Sequence, residues 1–229
     1  MSVEAALLER ERLAAPDGRP LFAWNCDAEQ RQHLVGSFPH LVPGSPFTTL
    51  TAARFALWAA EEIRTQHRPG QLTWEWLFGR LGRAAAPQLG RDLTERGLAW
   101  WGRRVRVSEG GARQFLYSLM AEGGLPDAYL AEAARYRAAV LSMLAEIEQE
   151  GALGKAAAER VAWRRVADLP HAFRHTDTVL LLADLALSLA RLRARLPADL
   201  PAEAAERVLF AMDARRVVTL GLFQFSLVV

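Results

Sequence analysis

Side chains able to do chemistry are sparse in this sequence: five histidines and one cysteine among 229 residues. His171-Ala172-Phe173-Arg174-His175 has the i,i+4 spacing that sets two imidazoles on one helix face. It lacks the glutamate that a zinc hydrolase uses as general base, and Pro170 and Thr176 bracket it as a loop. No metal site is expected, and Cys26 alone excludes an intrachain disulfide or a cysteine-rich metal centre. Arg165 and His171 meet the loose arginine–histidine spacing of helical HEPN-type ribonucleases, yet Val166 follows the arginine and Pro170 interrupts the helix before the histidine. A nucleophile elbow, a Walker A loop and a dinucleotide-binding glycine turn are all missing from the sequence. No catalytic residue and no cofactor are therefore assigned, and a HEPN-like helical ribonuclease or toxin is kept as the alternative reading.

Charge is distributed unevenly. Arginine supplies all but Lys155 of the basic residues, and between Phe78 and Arg106 seven arginines face only Asp92 and Glu95, a local net of +5. Ala121–Glu150 is the reverse, with a local net of −4, and 155–195 returns to +4. Inside the first basic tract, Trp100, Trp101, Arg103, Arg104 and Arg106 combine indoles with guanidinium groups, a composition suited to base stacking and phosphate contact. The same residues equally fit two core tryptophans beside a solvated arginine strand.

The elements that must position these residues are mostly helices. Thr48–His67 is capped by Thr48 or Thr49, is apolar nearly all round over its first three turns, and ends at Pro69-Gly70. It belongs at the centre of the core, with Leu50, Ala53, Leu57 and Ala60 buried. Further helices are expected at 3–13, 27–38, 73–81, 87–101, 112–121, 127–150, 156–166, 176–195 and 202–213. Short strands are expected near 20–24, 104–107 and 216–229, where β-branched and aromatic residues gather. The fold class is thus mainly α, a single domain over 1–229 with a weak internal boundary near 123–127. Its strand-like ending suggests the N-terminal module of a longer protein. Val179–Leu192 is too short to span a bilayer and contains Asp184. With no secretory signal at the start either, the expectation is a cytoplasmic protein with no membrane contact.

Three stretches carry a resemblance. Pro16-Asp17-Gly18-Arg19-Pro20-Leu21-Phe22-Ala23-Trp24 comes first. Phe55-Ala56-Leu57-Trp58-Ala59-Ala60-Glu61 follows, with Leu72-Thr73-Trp74-Glu75-Trp76, and then Glu122-Gly123-Gly124-Leu125-Pro126. In order and spacing they resemble the N-terminal region of large bacterial proteins of anti-phage defence islands, of the Druantia type. The resemblance implies a non-enzymatic binding or scaffold role in a defence complex. Its contacts would be a protein partner, such as the helicase encoded beside those proteins, or nucleic acid.

Overall fold

The computed structural model describes residues 2–38, 41–108, 110–130, 133–151 and 154–194. Ten α-helices run through it: α1 (Val3–Arg10), α2 (Ala28–Gly36), α3 (Thr49–Gln66), α4 (Trp74–Arg80), α5 (Pro87–Trp100), α6 (Phe115–Gly123), α7 (Asp127–Leu130), α8 (Ala133–Glu150), α9 (Lys155–Arg165) and α10 (Thr176–Arg193). The fold is mainly α, with no sheet among the described residues. None of these helices is long and apolar enough to cross a membrane.

Local capping chemistry explains several helix starts. The Asp27 carboxylate accepts from the Gln30 backbone N–H at 2.8 Å while the Asp27 backbone N–H donates to the Gln30 side-chain oxygen at 3.1 Å, a complete capping box. Thr48 caps α3 through Thr51 at 3.0 Å, and Thr73 caps α4 through Trp76 at 3.1 Å.

The expected strand at 20–24 is instead a 3₁₀ turn, Leu21–Trp24. Leu21 and Trp24 are both fully buried, a spacing of three that places them on one side of a 3₁₀ turn, whereas a strand would alternate them. Asn25, in the left-handed region at φ 47°, stops the turn. At 104–107 the expected strand reduces to one antiparallel bridge, Val107 with Arg113. The Arg106 N–H goes to the Ser118 hydroxyl at 2.8 Å, and Gly111 at φ 80° reverses the chain at once. The expected strand at 216–229 and helix at 202–213 lie outside the described residues.

The chain divides into two compact units. Unit 1 comprises Met1–His67 and Gln71–Pro126; unit 2 comprises Arg68–Gly70 and the described residues from Asp127 onward. The division at Pro126 is where Gly124, at φ 82°, and Pro126 end α6.

In unit 1, α3 is the central helix, with α5 and α6 packed along it and α2 alongside. Ala53, Leu57 and Ala60 are fully buried, as expected, while Leu50 in the first turn is only half-buried. Two glycines set the close approach of the flanking helices. A Cβ on Gly97 would lie 2.2 Å from the Ala52 carbonyl oxygen, and one on Gly123 would lie 2.3 Å from that of Ala60. Small residues on α3 therefore meet backbone on α5 and α6.

In unit 2, α8, α9 and α10 pack against one another around Val140, Leu144, Val161, Leu182 and Leu189. Arg165 binds Glu146 at 2.9 Å and Arg164 binds Glu150 at 2.8 Å, which ties α9 to α8. Asp177 opens α10 by accepting from Thr178 at 2.9 Å and from Gly70 at 3.0 Å.

Candidate nucleic-acid interface around Trp100–Arg106

The end of α5 and the segment after it carry the five residues singled out for phosphate and base contact. They divide into two that serve the interior and three that reach the surface. Trp101 is fully buried, and its indole N–H donates to the Ala53 carbonyl on α3 at 2.9 Å. Its ring meets Trp24 at 5.0 Å and Trp100 at 4.7 Å between centroids. The Arg19 guanidinium also lies over the Trp24 ring, 4.9 Å from it, and is itself held by Asp17 at 2.6 Å and Glu11 at 2.7 Å. Arg19, Trp24, Trp101 and Trp100 are thus linked by successive ring contacts.

Arg103 is a structural cation. Its Nε and Nη2 donate to both oxygens of Glu122 at 2.8 Å, and Nη1 donates to the Gly18 carbonyl at 2.9 Å. Glu122 is buried, so the pair neutralises a carboxylate taken out of water. One guanidinium therefore joins the Pro16-Asp17-Gly18 turn to the start of Glu122-Gly123-Gly124. Gly123 in turn rests on Ala60, and Gly124 faces the Phe22 ring. The first and third stretches behind the resemblance, and the α3 run of the second, are thus in mutual contact inside unit 1.

The remaining three face outward to different degrees. Arg104 is exposed and forms no ion pair among the described residues. Trp100 is half-buried, and Arg106, also half-buried, lies over the Tyr117 ring at 5.9 Å. Elsewhere in the +5 tract, Arg80 binds Glu62 at 2.6 Å, while Arg83 donates to the carbonyls of Phe38, at 2.5 Å, and Leu41. Arg91 and Arg96 stay exposed on α5, Arg96 over Phe47 at 4.9 Å. Sequence reasoning did not single these two out, although the apolar positions Leu89, Leu93 and Leu98 leave both arginines on the polar side of an amphipathic helix. Part of the basic excess is consumed by the fold, and part is available to a ligand.

The other candidates are placed separately. Arg165 ends α9 with its guanidinium on Glu146 and within 3.7 Å of Asp168. His171 begins its own 3₁₀ turn, His171–Phe173, and is exposed, so His171 and His175 do not share an α-helical face. No cluster of three or more metal-ligating side chains occurs among the described residues. Cys26 is buried, and burial, reinforced by the nearby Glu61 carboxylate, pushes its thiol up to about 12. It is chemically quiet.

A family model described as the YjiT N-terminal domain matches residues 1–125, a range that nearly coincides with the limits of unit 1. Protein YjiT of Escherichia coli (strain K12) is 29% identical over 185 residues, which cover 76% of this chain and 34% of that protein. The chain spans about a third of the length of this curated relative. No solved structure matches it.

Proposed function

The chain belongs to the YjiT N-terminal domain family, and we propose that it is a non-enzymatic binding and scaffold module of a bacterial anti-phage defence complex. It acts in the cytoplasm, contacts nucleic acid through Trp100, Arg104 and Arg106, and docks to a protein partner such as a defence helicase. The resemblance in the three stretches of unit 1 supports the defence setting. One observation carries the nucleic-acid contact: Arg104 is exposed without an ion pair among the described residues, close in sequence to the half-buried Trp100 and Arg106, while its neighbours Trp101 and Arg103 are fixed to Ala53 and Glu122. A guanidinium on a rigid support loses little conformational freedom when it meets phosphate, and each contact releases condensed counterions.

The test is binding of the purified chain to labelled random-sequence DNA and RNA across a salt series. Affinity should fall steeply with salt, and Arg104→Gln combined with Arg106→Gln should flatten the slope by about 1.5 log units per log unit of salt. Arg103 is left out of that variant because it holds Glu122. An absence of binding at low salt, or an unchanged slope, would refute the nucleic-acid contact and leave co-purification with the helicase as the measure of the scaffold role. Metal-independent RNA cleavage lost in both Arg165→Ala and His171→Ala would replace the whole reading with the ribonuclease alternative.

A further inference from the structure

Unit 2 exposes one large aromatic among its described residues, Trp163 on α9, which is 54% accessible. The buried side of α9 is Ala157, Ala158, Val161 and Ala162. At about 100° per residue, Trp163 points away from that side, and Arg160 lies three positions earlier on the same outer face. Arg160 is exposed and has no ion-pair partner among the described residues.

The neighbouring charges are already matched. Arg164 takes Glu146 and Glu150, and Lys155 stands 3.9 Å from Glu159. Arg160 is therefore the uncompensated charge next to the indole. Among the described residues, the positions next to Trp163 on the outer face of α9 are Arg160, Glu159, which Lys155 already neutralises, and beyond the helix end Ala167, so no large apolar side chain of this helix flanks the indole. A tryptophan anchoring a protein interface is ringed by further contacts that exclude water, and the described residues of α9 offer Trp163 charged and small neighbours instead. A nucleobase needs only the π-face for stacking, and the phosphate next to it needs a cation within reach. One face of α9 thus carries an exposed aromatic and an uncompensated cation together.

We propose that the Arg160–Trp163 face of α9 binds single-stranded nucleic acid, with a base stacked on the Trp163 indole and an adjacent phosphate on the Arg160 guanidinium. The proposal rests on the nucleic-acid part of the function proposed above, names its ligand class, and adds a second contact in a different unit. It is tested by titrating the full chain at low salt with a labelled oligo-dT strand and with a duplex of equal length, read by fluorescence anisotropy. Trp163→Ala should weaken oligo-dT binding about ten-fold or more while leaving the circular dichroism spectrum intact, and Trp163→Phe should retain most of the affinity. Arg160→Gln should lower the single-strand salt slope by about 0.7. Duplex binding should respond to neither substitution. The proposal is overturned if the strand does not bind, or if it binds Trp163→Ala as tightly as the unsubstituted chain. A loss confined to the Arg104→Gln, Arg106→Gln variant would sink it while sparing the first contact, and a loss confined to Trp163→Ala would do the opposite. Dependence on Trp163 only in a protein–protein contact, with oligo-dT ignored, would also overturn it.

Discussion

Replacing Arg103 by glutamine separates a structural cation from a surface one. In the folded chain its side chain is 27% accessible and that of Glu122 is 5%, so the substitution strands a carboxylate that water reaches poorly. Removing one member of a buried ion pair costs about 3–5 kcal/mol, and the partial access of water around Arg103 moves the expectation to the lower end, about 3 kcal/mol. Loss of the 2.9 Å bond to the Gly18 carbonyl works in the same direction. For a chain of this size that corresponds to a fall in Tm of about 6–12 °C. Urea denaturation followed by tryptophan fluorescence measures it, with Arg104→Gln as the control, expected within about 0.5 kcal/mol of the parent. Arg103→Met combined with Glu122→Leu should recover much of the loss, because a well-packed apolar pair needs no counter-charge. A cost below about 1 kcal/mol, or one equal to that of the control, would refute the structural assignment.

Leu57→Ala should cost about 2–5 kcal/mol in denaturant midpoint analysis, because Leu57 is fully enclosed on the central helix and its loss leaves a cavity. At pH 8 the Cys26 thiol should react with iodoacetamide about a thousand-fold more slowly in the folded chain than in denaturant, since its thiolate is scarce as well as buried. Burial pushes the Glu4 carboxyl up, but hydrogen bonds from Arg54 and Ser2 outweigh it and hold the group below its usual 4.5. A depressed folded value means stability that is present above 4.5 and lost as pH falls through the folded value. The stability gap between the parent and Arg54→Gln should thus be constant near neutrality and shrink on acidification, as read from urea midpoints at several pH values.

The parts of the fold legible in the sequence are those decided by local pattern. Thr48 followed by a long apolar run and a Pro-Gly stop specifies α3 and its central place without help from distant residues. The Asp27 and Thr73 caps are legible for the same reason. The Leu21–Trp24 segment misleads because four apolar residues are too few to distinguish a period of two from one of three. Around the candidate site the difficulty is different. Trp100, Trp101, Arg103, Arg104 and Arg106 look alike in one dimension, and what sorts them is Glu122, nineteen positions after Arg103, together with the carbonyls of Gly18 and Ala53. Pairing at that separation leaves no periodic trace in the sequence. Trp163 is the converse: its helix is visible in the sequence, but which of its residues remain outside depends on α8 and α10 packing on the other side.

The Arg103 junction also bears on how the chain is made. Its two partners, Gly18 and Glu122, lie 85 residues before Arg103 and 19 after it, so the contact cannot close until Glu122 has left the ribosome. At that moment α1 to α5 have all been synthesised, with Trp24 and Trp101 awaiting their final surroundings and Gly123 not yet seated on Ala60. Contacts of such long span slow folding and keep apolar surface open while they wait. The Arg103 junction of unit 1 is thus one that synthesis completes only near the unit's end, when Glu122 becomes available to a guanidinium made nineteen positions earlier.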